Sequence, residues 1–279
     1  EVRGLCKHYR DFSLRDVSFT VPGGSIMGFI GENGAGKTTT IKSILGLLHT
    51  DGGSISVLGR DPVTDRRAIG QDIGVVLDGS FFYEGMRAKD ISAVMSRLHS
   101  RWDKESFASY CERFALPMEK PFKEFSKGMR AKLALTTALA HHPKLLVLDE
   151  ATSGLDPMVR EEVLDILLDF TREEAHTVIL SSHIVSDLEK VCDYIAFLHQ
   201  GKLLLFEEKD RLLEEYALVR LPAAQLQELD PAAIAGQRVG PYGAEALVRR
   251  EKIPAGFVME HTSLEDIILF LARKGGEPG

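Results

Sequence analysis

From Val17 to Ile30 the chain reads VSFTVPGGSIMGFI, two short β-rich stretches split by Pro22-Gly23-Gly24, which predicts two strands joined by a turn. After a glycine-rich loop, KTTTIKSILGLL sets Ile41, Ile44, Leu45 and Leu48 three and four apart, an apolar helix face that Gly52-Gly53 closes. The order is strand, glycine loop, helix. SISVL (54–58) and IGVVL (73–77) predict two more short strands, with RDPVTDRRAIG between them as loop or a single helical turn. Between about Met86 and His142 the periodicity becomes helical: ISAVMSRL, ESFASYCERFAL and AKLALTTALA repeat apolar residues at helical spacing, which predicts a helical insert.

LLVLD and TVILSS then return as unbroken apolar runs around the helical VREEVLDILLDFTREE, the alternation of a parallel sheet covered on both faces. VCDYIAFLHQGKLLLF predicts two further strands around a His-Gln-Gly turn. Beyond about Lys209 the signals shorten: YALVRL, QRVGPYGAEALVRR and GFVMEH predict small strands and turns. The end predicts a helix that starts with a capping box, Thr262 with Glu265, and carries Leu264, Ile267, Ile268 and Leu271 on one face. The pattern divides into an α/β unit over 1–209, its helical insert at about 86–142, and a small α+β appendage over 210–279.

Of the 279 residues 44% are hydrophobic and 27% charged, enough to build a large core. A formal net charge of -7 provides no general attraction for nucleic acid or anionic lipid, so partners must be met at a defined site. The three cysteines, Cys6, Cys111 and Cys192, are widely separated and lack metal-ligand spacing, which suits a reducing compartment. The charged opening EVRGLCKHYR has no apolar signal core, and no apolar run approaches the ~18 residues needed to cross a bilayer. These features predict a soluble, cytoplasmic chain whose membrane role, if it has one, depends on a separate protein.

Candidate chemistry sits at three predicted strand ends. Gly31-Glu32-Asn33-Gly34-Ala35-Gly36-Lys37-Thr38 fits the phosphate-loop pattern at every fixed position and lies between a strand and a helix. Backbone amides at the helix start would hold phosphates, Lys37 would neutralise the β and γ phosphates, and the Thr38 hydroxyl would bind magnesium. This loop alone does not separate kinases, GTPases and ATPases. LLVLDE ends an apolar strand in two carboxylates, placing Asp149 to hold magnesium and Glu150 to act as general base on water. TVILSSH repeats the geometry with His183, an imidazole able to hydrogen-bond a γ-phosphate and the attacking water. Ligands of open parallel sheets collect at such carboxyl ends.

Over about positions 1–206 the order of these motifs resembles the ATP-binding cassette, the nucleotide-binding subunit of ABC transporters. GENGAGKT matches its Walker A loop, LLVLDE its Walker B strand with the catalytic glutamate, SGLD (Ser153 to Asp156) its D-loop, and His183 its switch histidine. The resemblance implies a phosphate-loop NTPase fold with a mixed core sheet, an antiparallel β subdomain and a helical insert. It also implies ATP and Mg2+ as ligands, with contacts from Gly31 through Thr39 and from Tyr9, whose place is that of an adenine-stacking aromatic. A buried packing role for Tyr9 is the alternative.

The family's signature, Leu-Ser-Gly-Gly-Gln, corresponds here to Phe125-Ser126-Lys127-Gly128-Met129. In the family it completes the γ-phosphate cage of the opposite subunit, so the resemblance implies that role for Ser126 and Gly128, and a head-to-tail dimer across which Asp156 lies. Lys127 and Met129 depart from the pattern; Lys127 either adds charge beside a phosphate or faces solvent, with solvent favoured. Asp78 stands where a glutamine is usual and can still bind magnesium, at the cost of added negative charge. Phe81, Phe82 and Tyr83 lead into the region that in the family receives a coupling helix of the membrane permease, or else are core aromatics.

These departures and the texture of the insert look like bacterial export-type cassettes associated with antibiotic and peptide resistance. The resemblance therefore implies an ATP-hydrolysing motor, dimeric, peripheral on the inner face of the cell membrane through a permease. Soluble relatives acting on ribosomes or DNA usually carry two cassettes or a long coiled-coil insertion, neither of which is present, and the acidic balance argues against nucleic acid. A small-molecule kinase leaves SGLD, His183 and FSKGM unexplained.

Overall fold

In the computed structural model, residues 1–279 are described except 80, 81, 174, 242, 255 and 276–279. Phe81 lies outside the described residues. The chain starts with β1 (Val2–His8) and β2 (Ser13–Phe19); β3 (Ile26–Ile30) then leads through the glycine loop into α1 (Lys37–Ile44). β4 (Gly52–Ile55), the single turn α2 (Arg66–Ile69) and β5 (Ile73–Val76) precede three helices, α3 (Ala88–Leu98), α4 (Lys104–Arg113) and α5 (Lys127–Leu139). β6 (Leu145–Asp149), α6 (Pro157–Phe170), β7 (Thr177–Ser182) and α7 (Val185–Val191) alternate as the pattern predicts, and β8 (Tyr194–His199) turns back into β9 (Lys202–Glu208). The remainder is α8 (Lys209–Glu215), β10 (Tyr216–Leu221), β11 (Ile234–Gly240), β12 (Gly243–Arg249), β13 (Met259–Glu260) and α9 (Leu264–Gly275).

The central sheet has six strands in the order β5-β6-β7-β3-β8-β9, parallel throughout except for the β8–β9 edge pair. Every residue of β3, β6 and β7 is buried, which is why these strands read as unbroken apolar runs. Their side chains alternate between two cores. Ile30, Leu146, Leu148, Val178 and Leu180 join the helical side, whereas Met27, Phe29, Val147 and Ile179 meet α1 and the three-stranded antiparallel sheet β2-β1-β4. Each such residue fully withdrawn from water contributes about 1.5–3 kcal/mol. A third sheet, β11-β12-β10-β13, is antiparallel; its residues Leu218 and Leu247 belong to the same core as α7 and α9.

Three expectations change. β1 was not expected, because register shifts between Val2 and Leu5 and between Leu5 and Lys7 interrupt the alternation that marks a strand. β4 lies at Gly52–Ile55 rather than 54–58, since it pairs antiparallel with β1 so closely that a Cβ on Gly53 would meet Arg3 O at 2.5 Å; these glycines belong to a strand. The capping box of α9 is Ser263 with Asp266, one residue later than Thr262 with Glu265. Thr262 is buried at 7% exposure, which leaves Ser263 to accept the Asp266 N–H at 3.1 Å.

Cys6, Cys111 and Cys192 are free thiols, and burial pushes the Cys111 pKa up to about 11, so it is no ready nucleophile. Among the described residues no helix is long and apolar enough to cross a membrane.

Candidate functional site

Parallel register sets Ile30 beside Ser182 and Asp149 beside Ser181, so the segments beginning at Gly31, Glu150 and His183 leave the sheet side by side. The glycine loop is seated between neighbours that exclude larger residues. A Cβ on Gly31 would meet Leu198 O at 2.5 Å, and one on Gly36, whose φ is 111°, would meet Leu14 Cδ2 at 2.5 Å. Ala35 O accepts the Gly201 N–H at 3.1 Å, tying the loop to the β8–β9 turn. Gly36 caps α1, and the first amides of a helix have no partner within it, so those that follow Gly36 form an anion-receiving end.

Lys37 is 5% exposed, and its Nζ donates to Gly31 O at 2.6 Å and Glu32 O at 3.3 Å. The same ammonium lies 3.4 Å from Glu150 Oε1. Thr38 Oγ1 donates to Asp149 Oδ2 at 2.7 Å, while Asp149 Oδ1 accepts from Ser181 Oγ. Glu150 turns out of β6 with φ 53°, a left-handed conformation uncommon for such a residue. Its N–H is held at 3.1 Å by Ser181 Oγ, and its Oε2 lies 2.6 Å from Nδ1 of His183. The pair of exposed Thr38 with buried Asp149 and the carboxylate between lysine and imidazole form one connected polar cluster. Ser181 joins its two halves, and sequence reasoning missed it; the signal available was a polar pair closing the apolar run TVILSS.

A cleft of about 350 Å³ beside the loop is lined by Phe12, Arg15, Glu32, Asn33, Gly34 and Gln200, among others. Tyr9 stands next to it, 45% exposed as a residue and with its ring 6.3 Å from the ring of Phe12, so it is not a buried packing residue. Thr39 continues the first turn of α1 and accepts a hydrogen bond from Ser43 Oγ at 2.9 Å through its carbonyl. Asp78 is exposed and shares a cavity of about 220 Å³ with Glu150, Lys127 and Arg130. No described hydrogen bond or ion pair joins it to Thr38 or Asp149.

The signature segment stands apart from the loop: among the described residues no hydrogen bond or ion pair links Ser126, Lys127 or Gly128 to residues 31–39. Ser126 caps α5, its Oγ accepting the Met129 N–H at 3.2 Å, and Asp156 caps α6 by accepting the Val159 N–H at 3.1 Å. The two helix starts touch. A Cβ on Gly128 would lie 3.3 Å from Val159 Cγ2, and one on Gly154 would collide with the Lys127 ammonium. Lys127 is itself exposed, with its ammonium beside Gly154 of the D-loop.

Between α1, α2, β5 and the helical insert runs an apolar groove of about 410 Å³, lined by Leu47, Val75, Leu77, Phe82 and Met95 and floored by His99 and His141. The two imidazoles are 4.0 Å apart. Burial, and then the neighbouring His99, brings the His141 pKa down to about 4. Phe82 also packs edge-on against Phe122 at 5.5 Å, whereas Tyr83 is 78% exposed, so the aromatic run has one member inside and one outside.

Comparison with known proteins agrees with this geometry. The sequence model of the ABC transporter family matches residues 14–153. An uncharacterized ABC transporter ATP-binding protein of Bacillus subtilis, YhcH, is 31% identical over 97% of this chain and 90% of its own length. The bacitracin transport ATP-binding protein BcrA of Bacillus licheniformis is 34% identical over 69% of this chain, which spans 63% of that protein. Among solved structures, an ATP-binding subunit of an ABC transporter superposes with a TM-score of 0.68 at 27% identity, covering 76% of this chain and 90% of that one.

Proposed function

The chain belongs to the ABC transporter family as an ATP-binding, ATP-hydrolysing subunit, and we propose that it drives an exporter as a head-to-tail dimer beneath a separate membrane permease. The observation that carries this reading is the meeting of Lys37, Thr38, Asp149, Glu150 and His183 at one sheet edge. In it, the amides that open α1 hold the phosphates and Lys37 neutralises them. Thr38 and Asp149, hard oxygen donors already 2.7 Å apart, fit Mg2+, which takes few protein ligands and keeps substrate phosphates as the rest of its shell. Bound there, the ion would offset phosphate charge. Asp78, exposed and sharing a cavity with Glu150, is the third proposed magnesium ligand.

Glu150 takes the proton of the attacking water, and His183 holds that carboxylate in line. Tyr9 offers its exposed ring to adenine. Ser126 and Gly128, with Lys127 beside them, serve the opposite subunit's nucleotide, and Asp156 lies in the loop that crosses the dimer. We assign residues 1–209 to the nucleotide-binding unit and 210–279 to an accessory unit. The apolar groove suits a helix of the permease, which would keep the chain on the cytoplasmic face of the membrane. Similarity to a bacitracin transport protein supports an exported antibiotic-like cargo. Glu150→Gln should accumulate a dimer at saturating ATP and Mg2+, measured by size-exclusion with light scattering; a variant that stays monomeric overturns the sandwich.

A further inference from the structure

The segment after β9 is fastened to the helix that follows His183. α7 begins two residues beyond His183, and its Glu189 is held twice from the distal part of the chain. Glu189 Oε2 accepts the N–H of Leu264, the first residue of α9, at 3.1 Å, and Glu189 O accepts from Lys209 Nζ at 2.9 Å. A carboxylate at a helix start also meets the positive end of the helix dipole. The Lys209 N–H donates to Asp193 O at 2.8 Å, and Asp193 Oδ2 accepts the N–H of Ile26, where the strand that feeds the phosphate loop begins, at 2.8 Å.

Packing follows the same line: Leu188 and Val191 of α7 share one apolar core with Leu264, Ile267 and Ile268 of α9. The other flank of α7 is clasped to α6, through Arg160 with Asp187 at 3.7 Å and through Lys190 with Glu161. α6 starts at the D-loop cap Asp156. α7 is therefore a seven-residue helix gripped by the D-loop helix on one side and by the distal segment on the other, with His183 at its head.

We propose that Glu189 is a positioning residue for hydrolysis: acting through α7, it transmits the placement of α9 to His183, and so lets the distal segment set how His183 meets Glu150. The inference rests on the ATPase reading of His183 and Glu150 above. So short a rigid helix transmits a displacement at Glu189 to His183 instead of absorbing it, and the charge-assisted Leu264 bond is stronger than a neutral one.

The test uses the full chain and its steady-state ATPase, with ATP affinity measured separately by a fluorescent ATP analogue. Glu189→Ala should lower kcat about two- to thirtyfold with unchanged nucleotide affinity. Glu189→Gln, whose amide oxygen still accepts the Leu264 N–H, should restore most of the rate. Lys209→Met, which cuts the other tether, should lower kcat in the same direction. Wild-type kcat in Glu189→Ala and Lys209→Met overturns the inference and leaves the ATPase reading standing; so does a loss in Glu189→Gln equal to that in Glu189→Ala. Turnover that Glu150→Gln does not abolish overturns both.

Discussion

His183 Nδ1 stands 2.6 Å from Oε2 of Glu150, and the other oxygen of that carboxylate faces Lys37 Nζ at 3.4 Å. The proposed general base, which follows β6, is thus held from two sides by groups that follow two other strands, β7 and β3. Removing the imidazole leaves it oriented from one side only. His183→Ala should lower kcat by about a hundredfold, the lower range for positioned proton transfer, with ATP affinity little changed. Steady-state kinetics beside equilibrium binding checks the split; a rise in KM at constant kcat would move His183 out of the chemistry.

Thr38 donates its hydroxyl to buried Asp149 at 2.7 Å. Thr38→Val removes that donor at nearly constant volume and should cost about 1–3 kcal/mol of stability, together with a higher Mg2+ requirement for hydrolysis. Thr38→Ser should retain both. Urea unfolding and a Mg2+ titration of the ATPase distinguish these; equal Mg2+ curves for the valine and serine variants would remove Thr38 from the metal site.

Ser126 caps α5, and Gly128 lies against Val159 of the D-loop helix. Ser126→Ala should cost about 1 kcal/mol as a lost cap and also lower ATPase activity. Gly128→Leu should press on Val159 and abolish cooperative dependence on ATP. If both variants keep wild-type activity, the assignment of this segment to the partner's nucleotide is wrong.

His141 predicts a pH dependence. Its folded pKa is lowered from 6.5 to about 4, by burial first and then by His99. Between those values the unfolded chain takes up a proton that the folded chain refuses, so this contribution to stability is complete above about pH 6.5 and is lost as pH falls toward 4. His141→Gln can still reach Ile73 O, which the imidazole Nε2 meets at 3.0 Å, but does not titrate. Its stability deficit relative to wild type should therefore shrink from pH 8 to pH 5 in urea unfolding. A constant deficit would show that His141 titrates alike in both states.

The sequence by itself determined the parts whose information is local. β3, β6 and β7 are legible because strands buried on both faces must be apolar along their whole length; Asp149 closes such a strand, Glu150 and His183 directly follow one, and Lys37 ends the glycine loop that continues one. Local pattern failed where tertiary contacts outweighed it. Bulges hid β1, antiparallel pairing with β1 recruited Gly52 and Gly53 into a strand, and burial of Thr262 passed the cap of α9 to Ser263. What only the tertiary structure decided are the partners. Ser181 meets Asp149 and Glu150 through the parallel register of β6 and β7, Lys127 lies over Gly154, and Glu189 receives Leu264 from α9. Thr38 and Asp149 are 111 positions apart, and no periodicity spans that separation; their hydrogen bond exists because sheet register and helix packing bring the two strand ends together.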